Sequence, residues 1–157
     1  MLNLPKELSE ALQDPETIKM LTTTDEKGNP HTVFKGSLIM LDDGYLAYME
    51  LLEFSNTTKN LLRNLYIGRQ ISIGIWNKEK LISYQIKGVP YRFIYEGSIW
   101  DKFLEETWEI LPDSNPTGVW LLEPCEVINQ NFESRRKKLE EDYPGHKVFF
   151  SYMGVRE

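Results

Sequence analysis

The sequence predicts a mainly β fold, a small antiparallel β-barrel of six to seven strands with peripheral helices. Three observations carry that expectation. From Thr22 to Asn64 the chain reads strand, tight turn, strand, tight turn, strand, and then a polar helix start. From residue 70 to 76, Ile71, Ile73 and Ile75 fall on one face and Ser72, Gly74 and Trp76 on the other, the period-two signature of a half-buried strand. So many strands in one short chain would leave exposed edges unless the sheet closes on itself.

The elements follow in order. Residues 5–13 carry Leu8 and Leu12 at i, i+4 spacing with Ala11 between them, a short helix with Pro5 near its first turn that Asp14-Pro15 ends. Residues 18–24 are rich in β-branched side chains and read as a strand. Asp25-Glu26-Lys27-Gly28 is a hairpin turn, with Gly28 supplying a positive φ. Residues 31–41 are expected as one strand, Asp42-Asp43-Gly44 as a turn, and 45–49 as the third strand. A helix over 56–65 is capped by Ser55 or Asn56, with Leu61, Leu62 and Leu65 facing inward. After the 70–76 strand and a turn at 77–80, residues 81–87 and 91–99 form two strand segments that Gly88 and Pro90 interrupt, marking a bulge or a sharp bend. Residues 101–111 form a helix with Asp101 as N-cap and Phe103, Leu104, Trp108 and Leu111 on its apolar side. A loop at 112–116 leads to the last core strand, 118–128; a charged helix spans 132–142, and 147–152 is a short terminal strand.

The composition narrows the function classes. A chain of 157 residues with 41% hydrophobic and 27% charged residues has the make-up of one soluble domain with its own core. No apolar run approaches the ~20 residues of a membrane span, and the first residues do not read as a signal peptide. A net charge of −6 argues against nucleic acid, and Arg135-Arg136-Lys137-Lys138 is followed at once by acidic residues, as on a mixed-charge helix. The single Cys125 fits a reducing cytoplasm and reads as a small buried hydrophobe on a strand. With only His31 and His146 beside it, no zinc-type set can be assembled, and no metal is expected. Glu105-Glu106 and Glu140-Glu141 are adjacent on helices and share no face, so neither is a catalytic dyad.

The most suggestive stretch is Ser55-Asn56-Thr57-Thr58-Lys59-Asn60, where hydroxyls, amides and a lysine gather at a helix start directly after the β-meander. Free N–H groups and the helix dipole favour an anion there, so a phosphate-bearing ligand is expected across the sheet. An ordinary capped helix with a solvated lysine is the plainer reading.

The order of elements over about residues 8–130 resembles the FMN-binding split barrels related to pyridoxamine 5′-phosphate oxidase. The matching pieces are Leu21-Thr-Thr-Thr-Asp-Glu-Lys-Gly-Asn-Pro-His-Thr-Val, Leu46-Ala-Tyr-Met, Thr57-Thr58-Lys59-Asn60-Leu61, Tyr84-Gln-Ile-Lys-Gly88 and Val127-Ile128-Asn129-Gln130. The resemblance implies an antiparallel split barrel of FMN-binding type at 1–130, with 131–157 as a C-terminal extension. It implies a homodimer with FMN in the groove between subunits. Thr32, Val33, Phe34 and Lys35 would run beside the isoalloxazine, largely through backbone groups; Tyr48 and Met49 would line the neighbouring strand; Thr57, Thr58 and Lys59 would hold the phosphate. Lys35 is otherwise a strand residue facing solvent or a subunit interface, and Trp100 is first a core or interface residue that could reach a flavin held by the partner.

The chain departs from the family pattern. True pyridoxamine-phosphate oxidases carry an arginine where this chain has His31 or Thr32, two adjacent basic residues where it has only Lys59, with Arg63 one turn on, and an arginine–leucine motif with no counterpart after Ile128. Oxidation of pyridoxamine phosphate is therefore not expected. The reading is a cytoplasmic FMN-dependent oxidoreductase with a small-molecule electron donor or acceptor and no residue standing out as catalytic acid or base. The alternatives are a non-catalytic flavin- or haem-binding module, or a cofactor-free interaction protein on the same barrel.

Overall fold

The computed structural model describes residues 2–145; the strand expected at 147–152, together with His146, lies outside the described residues. The described chain folds as α1 (Lys6–Gln13), β1 (Ile18–Thr24), β2 (Pro30–Phe34), β3 (Ile39–Met40), β4 (Leu46–Glu50), α2 (Asn56–Ile67), β5 (Ile71–Asn77), β6 (Ile82–Ile94), α3 (Ser98–Ile110), β7 (Gly118–Asn129) and α4 (Phe132–Asp142). The seven strands make one antiparallel sheet in the order β2-β1-β5-β6-β7-β4-β3, curled into a half-barrel.

The alternation read from the sequence builds the inside of this barrel. Leu21 of β1, Ile71, Ile73 and Ile75 of β5, Ile82, Tyr84 and Ile86 of β6, Leu46 and Tyr48 of β4, and Trp120 and Leu122 of β7 share one buried core with Leu8, Ala11 and Leu12 of α1. The opposite faces of β4 and β7 place Ala47, Met49, Val119 and Leu121 against Phe103 of α3 in a second core. Removing such apolar surface from water is the main driving force for the fold, about 25 cal/mol per Å².

Four expectations are corrected. The strand expected over 31–41 is broken, because residues 35–38 carry the chain from one edge of the sheet to the other: β2 pairs with β1, whereas β3 pairs with β4. The Lys35 amide bonds the Lys19 carbonyl and the Leu38 amide bonds the Lys35 carbonyl, closing a turn there. The inward stripe of α2 is Thr57, Thr58, Asn60, Leu61 and Asn64, so Leu62 and Leu65 face out. The third helix starts at Ser98, after Gly97 at φ 91°, and Asp101 sits in its first turn. Consequently β6 ends at Ile94, and it is one continuous strand whose register shifts at Lys87/Gly88 and Pro90/Arg92 fall where Gly88 and Pro90 are expected to interrupt it. Cys125 is on β7 but exposed, because it lies beyond the part of the strand that α3 covers.

Candidate functional site

The site is built where β4 ends and α2 begins. Strand β4 sends Leu46, Tyr48 and Glu50 to the inside of the barrel, by the two-residue period. Glu50 therefore points inward, with 2% of its surface exposed. A buried carboxylate needs donors, and the chain supplies them. Lys35 Nζ at 3.2 Å, Tyr48 OH at 3.4 Å, Ser55 Oγ at 3.2 Å and Thr58 Oγ1 at 3.3 Å all donate to Oε2. The amides of Leu51 and Leu52 donate to Oε1 at 3.1 and 3.2 Å. Lys35 Nζ also lies 4.4 Å from the centroid of the Tyr48 ring, a cation–π contact. Burial, with the Glu50 carboxylate beside it, pushes the Tyr48 phenol far above its ordinary value, so Tyr48 serves here as a donor.

Ser55 links this cluster to the helix. Its hydroxyl donates to Glu50 and accepts from the Thr58 amide at 3.0 Å, making it the N-cap of α2. The amides of Asn56 and Thr57 have no partner among the described residues, as the first turn of a helix leaves them. Lys59 is exposed and makes no ion pair with any described residue. One turn on, Arg63 donates to Asn60 Oδ1 at 3.5 Å, and its second terminal nitrogen is buried without a partner.

Beside Thr58 opens a cavity of about 340 Å³ lined by Glu53, Thr58, Leu62, Phe93, Thr117 and Trp120. Phe93 and Trp120 pack with ring centroids 5.0 Å apart, and the Trp120 indole nitrogen is buried without a partner. Thr117 is tied to the cluster through its hydroxyl and amide, which both bond the Glu50 carbonyl.

The expected ligand-binding residues separate into three groups. Thr32 and Phe34 are exposed on β2, whose outer side pairs with no described strand, and Thr32 shares a 2.8 Å hydroxyl contact with Thr22; Val33 packs against the barrel core. Lys35, Tyr48 and Thr58 are drawn together, around Glu50. Met49 lies on the far face of β4 under α3, Thr57 is buried under α2, and Lys59 alone of the helix-start triplet faces solvent. Glu50, Ser55 as its donor, and the Phe93–Trp120 wall were not picked out from the sequence. The available signal for Glu50 was a charged residue at an inward position of a strand, which requires buried partners.

No protein-family profile and no curated protein matches the chain. Solved structures do. A provisionally named pyridoxamine 5′-phosphate oxidase from Lactobacillus delbrueckii is 22% identical over 80% of this chain and 93% of its own, with a TM-score of 0.61. The protein has the pyridoxamine 5′-phosphate oxidase-like split-barrel fold. An FMN-binding protein from Syntrophomonas wolfei shares this split barrel over 71% of this chain and 76% of its own, at 10% identity and a TM-score of 0.61. HutZ, the haem storage protein from Vibrio cholerae, shares it over 82% and 95%, at 18% identity and a TM-score of 0.53. Among the described residues, no group of three or more His, Cys, Asp or Glu could hold a metal ion, and no helix is long and apolar enough to cross a membrane.

Proposed function

We propose that the protein is a cytoplasmic, homodimeric split barrel that binds FMN and acts as an oxidoreductase on small molecules other than pyridoxamine phosphate. The observation that carries this reading is the outer edge of β2, unpaired among the described strands, lying against α2, with Lys35 just after β2 and the cap Ser55 meeting at Glu50. An edge strand offers a row of unpaired N–H and C=O groups, which suits the polar rim of an isoalloxazine. Lys59 and the free amides of Asn56 and Thr57 suit a phosphate lying on the outer side of the helix start. The fit is partial, because the hydroxyl of Thr58 is committed to Glu50 and Thr57 is buried. Bound flavin would supply hydride and electron transfer, and the chain's part is to hold and orient it and to keep water from one face. A second subunit fits the exposed Phe34, Phe54 and Tyr66, large apolar side chains that a monomer would leave in water.

The test is the visible absorption spectrum after FMN is added and the protein desalted. A retained flavin spectrum is the expected result; a protein that retains nothing removes the flavin reading. Lys59→Ala is expected to weaken FMN binding by about threefold, the scale of one exposed charge pair, in a fluorescence titration.

The likeness to HutZ favours a second reading, haem binding. Haem takes an axial His, Cys, Met or Tyr, and His31, half-buried on β2, is the only histidine among the described residues. Titration with haemin in the same experiment separates the two, with His31→Ala abolishing any haem spectrum that depends on it.

A further inference from the structure

We propose that Glu50 sets the charge selectivity of this site: its carboxylate occupies the inner half of the anion-binding head of α2, so a phosphorylated flavin gains little there over its phosphate-free form. This rests on the flavin reading above and specifies which part of the cofactor the protein recognises. The groups that would serve a phosphate at a helix start are a cation, side-chain hydroxyls and amides. Here the cation is Lys35, the hydroxyls are those of Ser55 and Thr58, and all three already donate to Glu50 Oε2. The side chains of Lys35 and Glu50 are 12% and 3% exposed, so the pair is closed off from solvent.

A phosphate carries a charge of about −2 at neutral pH. To reach the same donors it would have to displace a buried carboxylate, or lie within a few ångströms of it and be repelled. The adjoining cavity adds to this bias. Its one charged lining residue is Glu53, and the remainder is Thr58, Thr117, Leu62, Phe93 and Trp120. Apolar and aromatic walls whose only charge is a carboxylate accept an uncharged planar body and disfavour an anion. What remains for a phosphate is Lys59, with the free amides of Asn56 and Thr57, on the outer side of the helix start, and the attraction of an exposed cation is weakened by solvent and salt.

The experiment compares FMN with riboflavin, and adds inorganic phosphate as a probe that needs no flavin. In the wild-type protein the two flavins are expected to bind within about fivefold of each other, since an exposed cation and the two free amides of Asn56 and Thr57 are all that distinguish them. Glu50→Gln frees Lys35 and the two hydroxyls, and is expected to raise FMN affinity about tenfold while leaving riboflavin unchanged. Wild-type FMN affinity more than about thirtyfold above that of riboflavin, a gap that needs charge-assisted hydrogen bonds at the phosphate, overturns the proposal whether or not the variant folds. If neither flavin binds the wild-type protein, the flavin reading fails, and phosphate titration followed at the Ser55 and Thr58 amides by NMR still decides about Glu50. No saturable shift in the wild-type protein supports the proposal, and saturable shifts there overturn it.

Discussion

Lys35 and Glu50 show how one residue's position decides its neighbours' roles. Glu50 is buried and Lys35 is largely shielded, and each is tolerated because the other is there. Removing one partner of such a pair leaves an uncompensated charge in the interior. Lys35→Met is therefore expected to lower unfolding free energy by about 3 kcal/mol in urea, and Lys35→Met/Glu50→Gln to recover part of that loss, because both ends then become neutral. A second residue-scale case is Asp14, which accepts from Lys80 Nζ at 2.6 Å, from the Glu16 amide at 2.9 Å and from Asn77 Nδ2 at 3.2 Å. The Lys80 bond first, then the Glu16 amide, holds the Asp14 carboxyl below its ordinary value of 3.8. A carboxyl lowered in the folded state contributes stability that is present above 3.8 and lost as pH falls through the folded value. Thermal melts of the wild-type protein and Asp14→Asn should then converge as acid is added, with the variant the less stable at neutral pH.

At the scale of elements, α2 explains why leucines mislead. Leu61, Leu62 and Leu65 all suggest an inward face, yet only Leu61 is buried, and the inward stripe is otherwise Thr57, Thr58, Asn60 and Asn64. The reason is what lies beneath. Thr58 meets the Glu50 cluster and Asn60 donates to Thr23 Oγ1 at 2.9 Å, so this helix covers a polar end of the barrel. Strand β6 makes a different point. A Cβ on Gly88 would fall 2.5 Å from the Glu123 carbonyl oxygen and 3.3 Å from the Pro124 Cα, both main-chain atoms of β7 that cannot swing aside. Gly88→Ala is expected to cost about 1–3 kcal/mol in a urea melt, as overpacking does, and to weaken the bend that lets β6 curve between its two neighbours.

At the scale of the molecule, the described strands form one sheet with two edges, β2 and β3, joined by the four residues 35–38. That link carries Lys35 to Glu50 and Ser37 to the Met49 amide, which donates to its hydroxyl at 3.1 Å. The outer side of β2, with Phe34 75% exposed, and the outer face of α2, with Tyr66 88% exposed, are the surfaces a second copy would cover. In sedimentation velocity the protein is expected to run as a dimer, and Phe34→Asp with Tyr66→Asp to run as a monomer that binds flavin more weakly. A wild-type monomer at micromolar concentration would count against the subunit-interface site.

Much of this was legible in the amino-acid order. Ile71, Ile73 and Ile75 on one face, the turn at Asp25–Gly28, the interruption at Gly88 and Pro90, and the bounds of the 132–142 helix all follow from local periodicity and turn chemistry, which depend on near neighbours along the chain. The helix start and its Ser55 cap were legible for the same reason, since capping is local. What that helix start faces was not. Glu50 reaches Lys35 fifteen residues away and across the sheet seam, and only the tertiary fold brings a carboxylate, a cation and two hydroxyls to one buried point. Local sequence fixes most of the strands, the interruption at Gly88 and Pro90 and the capped helix start; the curling of the sheet into a half-barrel decided that the helix start faces the chain's own carboxylate, because burial in common is a property of distant residues and leaves no periodic trace.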